Sequence, residues 1–211
     1  ADPNYQPLRQ EYANLCTRRA SVTTVDDRPM EVIKLGLHLL SLLFLLRLLL
    51  QWVQADFFNP LSQTIFKLTG PVVEPLHRVF PTLGTLNTAA LTAAILIKWL
   101  FAWILVVQGG LGLYELPTYF IVAIFEVIAG LIEIYFWGII IVALASWLDA
   151  LKHPHIVLVG QIIEPYLQPF RRVIPPIGII DISSMIALIG LMILRDRILP
   201  MAENFLQHLL F

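Results

Sequence analysis

The segment "GPVVEPLHRVFPTLGTLN", residues 70–87, has a counterpart in "EPYLQPFRRVIPPIGIID", residues 164–181. We call residues 70–87 the first hook and residues 164–181 the second hook. The two share prolines, an arginine, a valine and a glycine at a constant separation of 94 residues, which indicates a duplication. The matched positions are Pro71, Pro75, Arg78, Val79, Pro81 and Gly84 in the first hook, and Pro165, Pro169, Arg172, Val173, Pro175 and Gly178 in the second.

The composition is that of an integral membrane protein. Of the 211 residues, 58% are hydrophobic and 14% are charged, whereas soluble domains carry about 25% charged residues. The net charge of -1 offers no basic field for nucleic acid. A single cysteine, Cys16, excludes an internal disulfide framework and a cysteine metal cluster.

Four segments are apolar enough to cross a bilayer as helices of about 20 residues. The third is longer than one straight span requires, so either it is a single tilted helix or its residues 118–130 lie along the interface first. We favour the single helix. The four segments are 32–54, 88–107, one within 118–148, and 178–194.

Each half of the duplication contains two spans and one hook, so the chain returns to the side on which it began. The two halves then have the same orientation, related by an axis along the membrane normal. This predicts an all-α membrane protein with four transmembrane helices arranged as two parallel two-helix repeats, each with an interfacial Pro/Arg hook loop on the same face. The predicted units are a polar tail at 1–29, which is native or an extension, repeat 1 at 30–112 and repeat 2 at 113–211.

The prolines predict that a hook is not one continuous helix, because each removes a backbone donor and clashes with the preceding turn. Upstream, "NPLSQTIFKLTG" alternates apolar and polar residues at helical spacing and predicts a short amphipathic helix on the lipid surface. Each hook is therefore expected to be a stiff loop that presents Arg78, or Arg171 and Arg172, at the depth of the headgroups.

These segments resemble the YggT family of small bacterial inner-membrane proteins, in its two-repeat proteobacterial form. The second hook carries the motif P-x-x-x-P-x-R-R-V-x-P followed by G-x-x-D-x-S, with Asp181 as the aspartate. The first hook departs from it, with His77 for the first arginine and Asn87 for the aspartate. The resemblance implies a multi-pass protein of the inner (cytoplasmic) membrane, associated with cell division and osmotic tolerance, whose biochemical activity is not agreed.

Four charged residues, Arg47, Lys98, Glu126 and Glu133, lie inside the apolar segments. A charge at mid-bilayer costs at least ~3 kcal/mol, so such residues usually face protein or water. One interpretation is an ion or proton path through the two carboxylates, opposed by the two basic residues. The other is two acid–base pairs that fix the register of the helices, which we favour because the signs balance.

The hook arginines have two interpretations that stay open, namely binding to anionic lipid headgroups and docking of a partner protein. Asp181 precedes the last span and is interpreted as a helix-start residue. His153 and His155 lack a third donor and His38 stands alone, so neither a metal site nor a cofactor is expected.

The sequence therefore predicts a non-enzymatic interaction or assembly factor of the cell envelope, linked to division or osmotic stress. Its expected partners are the lipid bilayer, especially anionic lipids, and another membrane or peripheral protein, without direct nucleic acid binding; a homo-oligomer is an open alternative. The rival function is a small transport or ion-homeostasis protein that uses Arg47, Lys98, Glu126 and Glu133. An enzyme is the least favoured class, because no nucleophile–base pair or metal set is recognisable.

Overall fold

The computed structural model describes residues 28–108, 116–173 and 182–210, with side chains at 31–104, 119–173 and 183–205. Over these residues the chain is helical apart from short connections, which confirms the all-α prediction. Most of the predicted tail, together with Pro175 and Asp181, lies outside the described residues. The chain divides into two units, 1–36 and 37–211, and the packing below belongs to the second.

Seven α-helices, with one π-helical turn, are assigned over the described residues. In chain order they are α1 Arg28–Trp52, α2 Pro60–His77, α3 Thr88–Gln108, α4 Leu116–Trp147, α5 Pro154–Val173, α6 Ile182–Ile193, the π-helical turn Leu194–Ile198, and α7 Leu199–Leu210.

Two of these helices are long and apolar enough to cross a membrane, over Glu31–Trp52 in α1 and Tyr119–Trp147 in α4. The apolar part of α3, Thr88–Ile104, is shorter. Helix α4 is continuous over 32 residues, which confirms a single long helix in the third apolar segment. The arrangement with four transmembrane helices stays a prediction.

The packing repeats the duplication seen in the sequence. Helix α1 packs against α2 and α3, and α4 packs in the same way against α5 and α6. The α3 face is made of alanines, which let neighbouring helices approach closely. The first cluster includes Phe44, Leu45, Leu48, Val73, Ala89, Ala90, Ala93, Ala94 and Val127, and the second includes Ile132, Phe136, Ile139, Ile163, Leu167, Ala187 and Leu191.

A third apolar cluster joins the two repeats where α1, α2 and α5 meet. Its fully buried members are Leu49, Leu50, Ile65, Leu158 and Ile162. Next to it, the Asn59 side-chain amide donates a 2.8 Å hydrogen bond to the carbonyl of Pro154. Because Asn59 caps α2 and Pro154 begins α5, this bond ties together the first turns of the two amphipathic helices.

The prediction that the hooks are loops is wrong for their first halves. Helix α2 continues through Pro71 and Pro75 to His77, and α5 continues through Pro165 and Pro169 to Val173. What remains of the first hook outside a helix begins at Arg78.

The spacing of the prolines explains why the helices survive. Two prolines four residues apart lie on one side of a helix, and in α2 this side is exposed at both Pro71 and Pro75. The carbonyls that lose their N–H partners therefore face solvent or headgroups and are not buried without partners. The opposite side is packed against the bundle, and this burial offsets the cost of about 3 kcal/mol for each proline. The buried side of α2 consists of Ser62, Ile65, Thr69, Gly70 and Val73.

The rest of the first hook is a tight turn that leads into α3. Leu83 and Leu86 exchange backbone hydrogen bonds of 3.1 and 3.0 Å, and Gly84 between them has φ +63°, a conformation that favours glycine. Asn87 then caps α3, because its Oδ1 accepts from the N–H of Ala90 at 2.9 Å.

Candidate functional site

The C-terminal ends of α2 and α5 carry the hook arginines on an exposed surface. Arg78 is the C-cap residue of α2, and Arg172 lies in the last turn of α5. Both are exposed, and neither forms an ion pair with any side chain that the structure describes. A cation in this place interacts favourably with the negative end of the helix dipole.

Arg171 differs from its neighbour, because it is engaged within α5. Its Nη1 donates to Oε2 of Glu164 at 2.6 Å, two helical turns earlier. Pro165 and Pro169 are exposed between the two residues. The predicted arginine pair therefore consists of one anchored residue and one exposed residue.

Arg47 fastens α1 to α2. Its Nη1 donates to Oγ1 of Thr69 at 2.8 Å and to the carbonyl of Phe66 at 3.2 Å. The guanidinium carbon also lies 5.0 Å from the centroid of the Phe66 ring, a cation–π geometry. Arg47 is 7% exposed, and it contacts neither Glu126 nor Glu133 in any hydrogen bond or ion pair of the described side chains.

Lys98 forms an acid–base pair with Glu126, one of the two pairs predicted among the four charged residues. The Lys98 Nζ lies 3.1 Å from Oε2 of Glu126 and 3.1 Å from Nδ1 of His38. The other ring nitrogen of His38, Nε2, lies 3.1 Å from Oε2 of Glu133. We call Glu126, Lys98, His38 and Glu133 the titratable row. The second predicted pair, with Arg47, does not form, because His38 stands beside Glu133 instead.

The inclusion of His38 in this row was missed by sequence reasoning, which treated it as an isolated histidine. The duplication of the sequence already indicated a relation between His38 and Glu133. His38 and Glu133 are 95 residues apart, the same separation as Trp52 and Trp147 at the ends of the first and third apolar segments. They are therefore equivalent positions of the two repeats, and equivalent positions can meet where the repeats join.

No group of three or more His, Cys, Asp or Glu side chains suited to a metal ion occurs in the part of the chain that the structure describes. His153 and His155 are exposed, with ring centroids 5.1 Å apart. Two features stand out, namely an exposed basic surface at the ends of α2 and α5 and a row of proton donors and acceptors contributed by α1, α3 and α4.

These observations define a class of helical membrane protein built from a duplicated unit of a long apolar helix, an amphipathic helix with a proline–arginine end, and a second apolar helix. The family model described as CCB3/YggT matches residues 29–108 and 121–202, one match for each repeat. The chain belongs to the CCB3/YggT family, which confirms the resemblance found in the sequence.

Relatives from several proteobacteria are similar to the chain over most of its length. The uncharacterized protein YggT of Escherichia coli strain K12 is 31% identical over 159 residues, 75% of this chain and 82% of the relative. The uncharacterized protein PA0392 of Pseudomonas aeruginosa is 36% identical over 155 residues, 71% of this chain and 77% of the relative. No solved structure matches the chain.

Proposed function

We propose that this protein is a multi-pass inner-membrane protein with four spans, which acts in interaction or assembly and not in catalysis. Its two hooks lie on the same face and bind anionic headgroups together with a membrane or peripheral partner protein. One observation carries this proposal: equivalent amphipathic helices, α2 and α5, each end in an exposed arginine beside exposed prolines. We propose this role for the cell envelope, in division or osmotic tolerance, which is what the family resemblance implied.

The build of the two helices supports binding on their outer sides. In both, one side packs into the bundle, and the other side carries the prolines and polar residues. A helix of this kind lies in the interface between lipid and water. The carbonyls opposite the missing proline N–H groups remain available there as acceptors for a partner.

The rigid backbone of α2 and α5 favours docking of a protein partner in addition to anchoring in lipid. Anchoring requires charge near the surface but no particular backbone geometry. Here the arginines lie at the ends of proline-containing helices whose inner sides are buried, so the backbone that carries them is held in place before a partner binds. A preorganised surface loses less entropy on binding.

Capture of bound proteins from native membranes, with and without Arg78→Ala/Arg172→Ala, tests this function. Each arginine near an anionic surface contributes about 1 kcal/mol, so we expect the double variant to bind about thirtyfold more weakly. Crosslinking in intact membranes followed by mass spectrometry measures the retained proteins, and the ratio of co-purified anionic to zwitterionic lipid measures the headgroups.

The matched control is Lys152→Ala/Arg197→Ala, which removes the same charge from exposed positions outside α2 and α5. It should keep the partner and the lipid ratio of the wild-type protein. If the arginine variant retains both as well, the helix ends are not the docking surface and the proposal fails.

A second candidate function, the movement of ions or protons, is favoured by a different observation. The titratable row joins two carboxylates of α4 through Lys98 and His38, with 3.1 Å at each step. The rival set inferred from the sequence included Arg47, whose contacts with Thr69 and Phe66 instead give it a structural role.

A further inference from the structure

The titratable row combines one buried side chain with three that are partly exposed. The side chain of Lys98 is 6% exposed, while those of His38, Glu126 and Glu133 are 36%, 44% and 34% exposed. The two carboxylates are seven residues apart on α4, or about 10 Å along the helix axis. Both carboxylates are open at the surface of the protein, and Lys98 and His38 link them by direct contacts.

The chemistry of the groups determines the direction of each hydrogen bond. A lysine ammonium has no acceptor, so Lys98 must donate both to Glu126 and to Nδ1 of His38. Nδ1 is then the unprotonated nitrogen, and the neutral ring carries its proton on Nε2. From there it donates to the carboxylate of Glu133. All contacts of the row are satisfied by this single arrangement of protons.

We propose that the row is a proton-transfer path in which His38 passes protons between Lys98 and Glu133, an inference that rests on the second candidate function. In the transfer step, the Lys98 Nζ–H bond breaks as an N–H bond forms at Nδ1. The Nε2–H bond breaks at the same time as an O–H bond forms on Glu133. His38 stays neutral, Lys98 becomes an amine and Glu133 becomes a carboxylic acid.

The cycle closes without any electron transfer. Glu126, protonated from water, returns a proton to the Lys98 amine, and Glu133 releases its proton to water. His38, whose side chain is 36% exposed, regains its starting tautomer when Nε2 takes up a proton from water and Nδ1 releases one to water. The only reactants are protons, since no covalent bond other than N–H and O–H is made or broken.

The neighbouring charges favour the proton over a larger cation. Lys98 lies against Glu126 and His38 lies against Glu133, so each carboxylate already has a nitrogen partner where a metal cation would bind. From α7, Glu203 is close enough to Glu126 for that carboxylate to act on it electrostatically, which adds a further acidic group beside the row. Arg47 bonds to α2 and takes no part in the row.

Proton entry into vesicles that contain the purified full chain tests the proposal. An enclosed pH-sensitive dye reports the entry after an imposed membrane potential. His38→Gln keeps a donor and an acceptor but cannot be protonated, so we expect it to lower the rate by about a hundredfold, as for the loss of one acid–base group. His153→Gln is the matched control, because it makes the same change at an exposed histidine outside the row and should conduct as the wild-type protein does.

The outcomes separate the path from the function on which it rests. Wild-type proton entry that His38→Gln abolishes and His153→Gln retains supports the path. Unchanged entry in His38→Gln overturns it. Potassium or sodium flux without proton flux overturns the path but keeps ion movement, and the absence of all three fluxes overturns both.

The tautomer of His38 gives a second readout, which does not depend on flux. In the ¹⁵N spectrum of the histidine-labelled protein, we expect neutral His38 to carry its proton on Nε2. Lys98→Met should abolish that preference, because Nδ1 loses its donor. A proton on Nδ1 in the wild-type protein contradicts the arrangement and overturns the path, whatever the vesicles show.

Discussion

Arg47 is a charged residue in an apolar helix, and groups of the neighbouring helix α2 offset the cost of burying it. Its guanidinium bonds to Thr69 and to the carbonyl of Phe66, so it holds α2 against α1. In the second repeat, Val142 stands 95 residues after Arg47, and Ile163 stands 94 after Thr69. Both belong to the second apolar cluster. At these equivalent positions the first repeat therefore has a polar pair, and the second repeat has two residues of an apolar cluster.

This exchange can be tested by transferring the apolar pair into the first repeat. Thr69→Ile alone leaves the buried guanidinium without its hydroxyl acceptor and should lower the free energy of unfolding by about 1–3 kcal/mol. Arg47→Val/Thr69→Ile should cost less than the sum of the two single changes, because residues in contact are coupled. Unfolding in mixed detergent micelles, followed by circular dichroism, measures all three variants; strictly additive costs would show that the two sites act independently.

At the scale of the elements, the sites where two helices approach closely determine which side of each helix is buried. Gly138 of α4 lies against α5, and a Cβ at this position would stand 2.6 Å from Cγ2 of Ile163. Ile163 is 1% exposed and β-branched, so it cannot turn aside easily. The buried side of α5 can therefore lie directly on α4. The opposite side of α5, which carries Pro165 and Pro169, remains exposed.

Gly138→Ala should consequently destabilise the protein by about 1–3 kcal/mol through overpacking between α4 and α5. Gly160→Ala on α5 is the control, since a Cβ there meets no atom within 4 Å. Alanine forms helices better than glycine, so this control should stabilise the protein by up to about 1 kcal/mol. The midpoint of thermal unfolding in detergent compares the two, and equal effects would contradict the close contact.

At the scale of the whole molecule, the second repeat continues beyond α6 through the π-helical turn into α7. There Glu203 is near Glu126 of α4. Burial, with a smaller contribution from the Glu126 carboxylate, raises the pKa of Glu203 above its ordinary value of 4.5. The folded protein therefore holds this proton more tightly than the unfolded chain does.

The raised pKa predicts a stability that falls as the pH rises. The contribution of Glu203 is fully present below pH 4.5 and is lost as the pH rises through the folded pKa. Glu203→Gln removes this dependence, so the wild-type unfolding temperature, relative to that of the variant, should decrease from pH 4.5 towards neutral pH. Glu31→Gln at an exposed site is the control. A constant difference between wild type and Glu203→Gln would contradict the burial of this carboxyl.

The sequence by itself determined the duplication, the helical class, the family and the positions of the apolar helices, because these depend on composition and on patterns local in the chain. Only the tertiary structure decided that α2 and α5 continue through their prolines. Burial of the opposite side of each helix offsets the free-energy cost of the prolines, and this burial cannot be read from the local sequence. The tertiary structure also decided the partners of the charged residues. Whether Arg47 contacts Thr69, or His38 contacts Glu133, depends on how the packed helices are rotated and crossed. The spacing of residues along a single helix does not specify this geometry.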